Sequence, residues 1–270
     1  MTLTHTKKTR LLVVAILALA ASMVLVACGG GSGINEGSDN EDVPTAPGGK
    51  ASGSLNISNW TYYIDPKTIN EFQKETGIKT TYNEDVNDNN SFFGKVQQQL
   101  AQGDSGGRDI IIVTDWMAEK MFNLGYIQKL NHDDLGQVFD TMIPSLRDPS
   151  FDPGRAYSVP WQSGMTGLVV RKDLAPDVKS INDLFDPKYK GKVTLLTELR
   201  DTVPLIMAAD GIDPAEATTE DWMSTIDKIK ENVDNGQIRR FTGNDYLQDL
   251  AKGDVVAAIG WSGDAVQAEA

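Results

Sequence analysis

The sequence predicts an α/β fold built on doubly wound sheets. From Leu55 onward, short apolar runs of strand length alternate with amphipathic segments of helical periodicity, and this alternation is typical of α/β chains. The clearest strand is the continuous apolar run Asp109–Thr114, as expected of a strand buried on both faces of a parallel sheet. The composition, 40% hydrophobic and 23% charged, supplies enough apolar residues for packed cores and excludes a wholly disordered chain.

In the first half of this region, capping residues mark where each helix begins and ends. A strand at Leu55–Ser58 precedes Asp65-Pro66, a pair that suits the N-cap and first turn of a helix running to Gly77. The elements after Gly77 follow the same order of strand and glycine-terminated helix. They are a strand at Ile78–Tyr82, a helix at Ser91–Gln102 closed by Gly103, and a helix at Trp116–Leu124 closed by Gly125.

The second half continues the alternation as far as the last residue. Ser262 or Asp264 would begin a final helix that has barely two turns before Ala270. Because so short a helix is marginally stable alone, we expect a C-terminal part of the protein to be missing from this sequence. The other predicted elements are strands at Tyr157–Trp161, Gly167–Arg171, Val193–Leu196, Arg239–Phe241 and Val255–Ile259, and helices near Val203–Ala209 and Asp221–Val233.

The N-terminus has the pattern of a targeting segment. A basic stretch ending at Arg10 precedes an apolar run at Leu11–Val24, and this order is typical of a secretory signal peptide. The run leads into Leu25-Val26-Ala27-Cys28, which resembles the lipobox of bacterial lipoproteins. We therefore predict a lipoprotein signal peptide over residues 1–27 and lipidation of Cys28. A membrane-spanning helix that ends in a buried Cys is the alternative, although the apolar run is short for a span.

Residues 28–54 are predicted to form a flexible tether. The segment is rich in Gly, Ser and acidic residues, and it has too few large apolar side chains to bury a core. A lipid on Cys28 and this tether would hold the following domains at the outer face of the cytoplasmic membrane, in the periplasmic or extracytoplasmic space.

The charge balance disfavours a phosphate-rich partner. The 25 Lys and Arg residues are outnumbered by 38 Asp and Glu residues, which gives a formal net charge of −13. Such a surface repels nucleic acid and anionic lipid, whereas it is compatible with a cationic ligand. One Cys excludes an internal disulfide, and with only two His residues a structural zinc site is not expected. We expect neither a metal nor a cofactor.

Two short motifs resemble the nucleophile segments of hydrolases. Gly103-Asp104-Ser105-Gly106-Gly107 resembles that of chymotrypsin-like serine proteases, a mechanism that needs a His base, but His132 follows the serine instead of preceding it. Gly260-Trp261-Ser262-Gly263-Asp264 lies between a predicted strand and a predicted helix, yet it lacks the final glycine of a nucleophile elbow. A surface-anchored hydrolase is therefore a weak alternative.

Aromatic residues follow the ends of three predicted strands. Trp60 and its neighbours follow the first strand, Trp116 follows Asp109–Thr114, and Trp261 follows Val255–Ile259. In open α/β sheets, ligands bind in the crevice outside the carboxyl ends of the strands. Aromatic faces attract ammonium groups and pack on alkyl chains, so carboxylates nearby would complete a site for an organic cation. The candidate acids are Asp115, Glu198 and Asp201.

A set of motifs in a shared order resembles the spermidine/putrescine-binding proteins of ATP-binding-cassette importers. The resemblance covers essentially all of residues 55–270. The motifs are Asn59-Trp60-Thr61-Tyr62-Tyr63, Glu71–Lys79, Asp109–Thr114, Tyr126–Leu130, Tyr157-Ser158-Val159-Pro160, Asp186–Gly191 and Gly260-Trp261-Ser262-Gly263.

This resemblance implies a two-lobe fold of the periplasmic-binding-protein type, in which ligand is trapped between the lobes. The first α/β lobe would span residues 55–163, incomplete without its C-terminal return, and the second would span residues 164–270. Tyr62 stands where better-known members have an acid, so one ammonium contact would be lost unless Asp115 compensates. Tyr62 and Asp115 are thus further candidates. The implied ligand-binding residues are Trp60, Thr61, Tyr63, Thr114, Trp116, Glu198, Asp201 and Trp261.

The sequence therefore predicts a lipid-anchored binding protein, not an enzyme. It would capture a polyamine such as putrescine or spermidine and deliver it to the membrane permease of an ATP-binding-cassette importer. The alternative with the same fold is a binding protein for another small solute, such as an amino acid-like cation, a sugar or a carboxylate.

Overall fold

The computed structural model describes residues 52–269. The predicted signal peptide, the lipobox with Cys28 and the tether as far as residue 51 lie outside the described residues. No helix within residues 52–269 combines the length and the apolar character needed to cross a membrane.

The first sheet has three parallel strands. They are β1 (Ser54–Trp60), β2 (Lys79–Val86) and β3 (Ile110–Ile111), in the order β2-β1-β3. The face of the sheet that carries Trp60 and Val86 packs against Phe92 and Val96 of the following helix in a small apolar cluster. The carboxyl ends of all three strands therefore lie along one edge of the sheet, as parallel pairing requires.

Four helices accompany this sheet, and the first of them begins and ends at its predicted capping residues. They are α1 (Pro66–Thr76), α2 (Asn89–Leu100), α3 (Asp115–Asn123) and α4 (Gly136–Thr141). The carboxylate of Asp65 accepts a hydrogen bond from the Lys67 amide at 2.9 Å, and Gly77 ends α1 with a φ of 74°. That left-handed conformation suits glycine because it has no Cβ.

The second sheet is mixed, not wholly parallel. Its strands are β4 (Thr166–Val170), β5 (Val193–Leu196), β6 (Ile238–Thr242) and β7 (Ala257–Trp261), in the order β4-β7-β5-β6. Strand β4 runs antiparallel to β7, whereas β5 is parallel to both of its neighbours. All four residues of β5 are buried, as expected for a central strand that is covered on both faces.

The largest core of the described residues surrounds this second sheet. Its buried members include Leu195, Ile206, Tyr246 and Ile259. Four helices accompany the sheet: α5 (Leu199–Ala209), α6 (Thr219–Asp234), α7 (Tyr246–Lys252) and α8 (Ser262–Glu269). Helix α5 starts one turn earlier than predicted, and this places Glu198 at its N-cap position and Asp201 in its first turn.

Two of the predicted strands are wrong in this structure. Tyr157–Trp161 forms no strand, because no neighbouring backbone within residues 52–269 pairs with it. The run Asp109–Thr114 contributes only the two residues of β3, at the edge of the first sheet, where Ile110 is 43% exposed. The short helices α4 and α7 were not predicted, since neither has a periodic apolar pattern long enough to indicate a helix.

Candidate functional site

Three aromatic rings from the two sheets meet at the ends of β1 and β7. The rings of Trp60 and Tyr63 stack with centroids 6.0 Å apart, and Trp261 meets Trp60 edge-on at 5.5 Å. Trp60 is only 3% exposed, whereas Trp261 and Tyr63 are half-buried. The structure therefore brings together Trp60 and Trp261, which the sequence placed after separate strands, whereas Trp116 packs beside Met117 and Met121 in another cluster.

Asp201 lies directly beside this aromatic cluster. Its Oδ2 atom accepts hydrogen bonds from the indole Nε1 of Trp261 and from the Thr166 hydroxyl, each at 2.9 Å. The carboxylate also lies in the first turn of α5, where the helix dipole favours negative charge. The Asp201 carboxylate is thus fixed at the edge of an indole ring.

Glu198 forms a second carboxylate centre at the start of the same helix. Its Oε2 atom accepts hydrogen bonds from Asn89 Nδ2 at 2.9 Å and from Trp116 Nε1 at 3.0 Å. Glu198 is 7% exposed. Burial raises the pKa of its carboxyl group and the charge of Asp201 adds to this effect, whereas the hydrogen bonds from Asn89 and Trp116 oppose it.

A cation of the protein already lies on one of these aromatic faces. The guanidinium carbon of Arg200 is 5.0 Å from the centre of the Trp116 ring, within the range of a cation–π interaction. Arg200 itself is exposed. The side of the Trp116 ring that faces Arg200 thus already has a cation of the protein on it.

The other four predicted site residues range from half-buried to exposed. Tyr62 is 60% exposed and has a φ of 65°, and its amide donates to Glu84 at 3.2 Å. Thr61 is half-buried. The Thr114 amide donates to Asn89 Oδ1 at 3.2 Å, and its buried hydroxyl has no hydrogen-bond partner among the described residues. Asp115 is exposed and accepts a hydrogen bond from the Trp116 amide at 2.7 Å.

Sequence reasoning missed several residues that hold this site. Asn89 and Thr166 donate to the two carboxylates, and the Trp161 indole donates to the Tyr63 carbonyl at 2.9 Å. No local signal distinguishes them, because Asn89 is 109 residues from Glu198 and Thr166 is 35 residues from Asp201.

The segment Gly260–Asp264 supports the aromatic cluster. A Cβ at Gly260 would lie 2.6 Å from the Tyr246 ring, so only glycine fits there. The Tyr246 hydroxyl accepts from the Trp261 amide and donates to the buried Asp264, both at 2.9 Å. The Ser262 hydroxyl accepts from the Met165 amide at 3.0 Å. The residue types of the Gly260–Asp264 motif are thus explained by packing and hydrogen bonding.

Within residues 52–269, the structure does not assemble the features of a hydrolase or a metal centre. His132 pairs with the Arg155 carbonyl at 2.9 Å and stacks on Phe139, and Ser105 is exposed. Among the residues that the structure describes, no His, Cys, Asp and Glu side chains are grouped in a way that could hold a metal ion.

Two curated relatives of this chain are periplasmic binding proteins of Escherichia coli. The spermidine/putrescine-binding periplasmic protein of Escherichia coli is 27% identical over 215 residues, which are 78% of this chain and 59% of the relative. The putrescine-binding periplasmic protein PotF of the same organism is 29% identical over 229 residues, which are 80% of this chain and 60% of the relative. The chain thus spans about three fifths of the length of these curated relatives.

Solved structures give the same fold. The spermidine/putrescine ABC transporter substrate-binding protein PotD of Streptococcus pneumoniae is 25% identical with a TM-score of 0.57, over 80% of this chain and 65% of that one. The TpPotD lipoprotein of Treponema pallidum, at 20% identity, 80% and 66% coverage and a TM-score of 0.65, supports the fold alone. The expected α/β fold of the two-lobe periplasmic-binding-protein type is confirmed by these similarities.

The family follows from a third comparison. The model of a family described as "Bacterial extracellular solute-binding protein" matches residues 67–270. This description is that of a solute-binding protein and not of an enzyme, which confirms the expectation from the sequence. Because the match covers well over half of the chain, this chain belongs to the bacterial extracellular solute-binding protein family.

Proposed function

We propose that this protein captures a polyamine of the putrescine and spermidine class and delivers it to the permease of an ATP-binding-cassette importer. The observation that carries the proposal is the pairing of two carboxylates with two indole rings at the start of α5. Glu198 accepts from Trp116, and Asp201 accepts from Trp261, at 3.0 and 2.9 Å.

The chemistry of this pairing suits a flexible dication. A carboxylate can neutralise each ammonium group, and the half-buried rings of Tyr63 and Trp261 can pack on the methylene groups between them. Trp60, which is buried, would hold these two rings in place from behind. None of the ion pairs formed by the described residues involves Glu198 or Asp201. Both charges are therefore left for a ligand to neutralise, whereas an anionic ligand would be repelled.

The remaining candidates have supporting roles in this proposal. Thr61 and Thr114 would supply hydroxyl groups, and Tyr62 and Asp115 would contact the ligand at the solvent side, where both are exposed. The named relatives that bind spermidine or putrescine, at 27% and 29% identity, support the substrate class.

A ligand-shift melting screen tests the proposal. Ligand that binds only the folded protein raises the melting temperature, so putrescine and spermidine should raise it. Amino acids, sugars and dicarboxylates at the same concentration should not. A shift with a sugar or a carboxylate, and none with either polyamine, would replace the proposed function by that of another solute-binding protein.

We further propose that Cys28 carries a lipid that anchors the protein at the outer face of the cytoplasmic membrane. The proposal rests on the basic and apolar segments before Leu25-Val26-Ala27-Cys28. Replacing Cys28 by Ala should release the protein from the detergent phase into the soluble fraction, because the tether has no apolar anchor of its own. Unchanged detergent partitioning of Cys28→Ala would contradict the lipoprotein assignment.

A further inference from the structure

Three consecutive residues at the start of α2 contact the carboxyl ends of strands in the second sheet. The carbonyl of Asn87 accepts from the Asn244 amide at 3.2 Å, and the Asp88 carboxylate accepts from the Thr197 hydroxyl. Asn89 then donates to Glu198 at 2.9 Å. The turn between β2 and α2 is thus the place where the first sheet meets the chain around β5 and β6.

Of these three residues, Asn89 is the one that contacts the proposed binding site. It is 2% exposed, and both ends of its carboxamide are used. The Nδ2 atom donates to Glu198 Oε2, and the Oδ1 atom accepts from the Thr114 amide at 3.2 Å. The side chain therefore has one orientation in which both bonds form, since a reversed carboxamide would turn its oxygen toward the carboxylate.

We infer that Asn89 is a positioning residue for cation binding: it orients the Glu198 carboxylate toward the ligand and favours its ionised form. This inference rests on the function proposed for Glu198. A buried carboxylate without hydrogen-bond donors is costly to ionise, and Trp116 supplies the only other side-chain donor to Glu198 among the described residues. Asn89 is thus one of the two side-chain donors that favour the charged form of this acid.

The charged groups around Glu198 would not replace this contact. Arg200 is the nearest basic residue in the chain, and its guanidinium lies over the Trp116 ring instead of pairing with Glu198. Each of Asn89, Trp116 and Arg200 has an acidic neighbour in the sequence. These acids are Asp88, Asp115 and Asp201. Negative neighbours disfavour a further negative charge, so loss of the Asn89 donor would shift Glu198 toward its neutral form.

The test begins with putrescine affinity by calorimetry. Asn89→Ala should lower the affinity by roughly 10- to 100-fold, the range expected for a hydrogen bond to a charged group. The nearly isosteric Asn89→Asp should lower it at least as much, because two carboxylates in hydrogen-bond contact repel each other. The matched control is Asn83→Ala, which removes a carboxamide on β2 that donates only to the Ile57 carbonyl, at 3.3 Å, and should leave the affinity within threefold.

Two further measurements separate positioning from general stability. In a Glu198→Gln background, Asn89→Ala should cause little additional loss of affinity, since both changes act through the same carboxylate. In ligand-free protein, the Glu198 carboxyl signal followed by NMR should titrate at a higher pH in Asn89→Ala than in wild type. When the solution is acidified, Asn89→Ala should therefore lose putrescine affinity at a higher pH than the wild type does.

The outcomes distinguish this inference from the proposed function. A wild-type protein that binds no polyamine, together with the expected titration shift, would overturn the ligand class and support the positioning role of Asn89. Unchanged Glu198 titration in Asn89→Ala would overturn the role of Asn89 whatever the ligand. If the wild type binds putrescine and both Asn89 variants bind it with unchanged affinity, the role of Asn89 is likewise overturned.

Discussion

Replacing Glu198 by Gln, or Asp201 by Asn, is expected to weaken putrescine binding by about 2–5 kcal/mol, the range for truncating one partner of a buried charge pair. Each acid is hydrogen-bonded to an indole N–H through one oxygen. The amide variant loses the negative charge that would neutralise an ammonium group, and it can turn an NH₂ group toward the indole donor. The affinity loss should therefore exceed that of a simple lost hydrogen bond.

A surface acid provides the control for these two variants. Asp177 pairs with Lys188 at 2.6 Å, and its side chain is 72% exposed. Asp177→Asn removes one negative charge from the protein without touching the site. Only the long-range effect of that charge is lost, and the affinity for putrescine should stay within threefold of wild type. Calorimetric titration of all three variants makes the comparison. Losses below threefold for Glu198→Gln and Asp201→Asn would assign both acids to structural hydrogen bonding instead of ligand binding.

Trp60→Ala is expected to destabilise the fold by about 3–5 kcal/mol, the range for removal of a large buried aromatic side chain. Trp60 is 3% exposed and packs with Val86, Phe92 and Val96 in the first sheet. Its ring also stacks on Tyr63 and meets Trp261. The cavity left by alanine would therefore disturb both the core and the aromatic cluster.

Denaturant unfolding measures this effect, and Trp60→Phe provides the graded comparison. Phenylalanine keeps an aromatic ring in the same place, so it should lose less stability than alanine and retain part of the putrescine affinity. If Trp60→Ala lowers affinity while leaving the free energy of unfolding unchanged, Trp60 is an exposed ligand contact and not part of the core of the first sheet.

The sequence predicted those elements whose ends have local chemical signals. Asp65 and Gly77 bound α1 as expected, and the strand Val193–Leu196 agrees residue for residue with β5. The failures are elements that depend on a partner far along the chain. An apolar run such as Asp109–Thr114 cannot indicate how many of its residues will find a neighbouring strand, and β3 pairs over only two.

In the candidate site, too, the sequence predicted the residues with a local signal and missed the contacts between distant residues. Trp60, Trp116 and Trp261 could be chosen as candidates from the sequence because they lie at or after predicted strand ends, where ligand crevices of open α/β sheets lie. The contacts of Glu198 with Asn89 and of Asp201 with Thr166 depend on how the two sheets meet. No periodicity or motif predicts such a contact. Polar residues are common at the starts of helices and strands, so their presence there does not indicate a particular distant partner.

The most direct test of the account is calorimetric titration of the protein with putrescine and with 1-aminobutane, which has the same carbon chain and one ammonium group. Two carboxylates at the start of α5, each beside an indole ring, should require two positive charges. We predict one putrescine bound per chain and an affinity for 1-aminobutane weaker by at least about 2 kcal/mol. Equal affinities for the two amines, or binding of neither, would contradict the account.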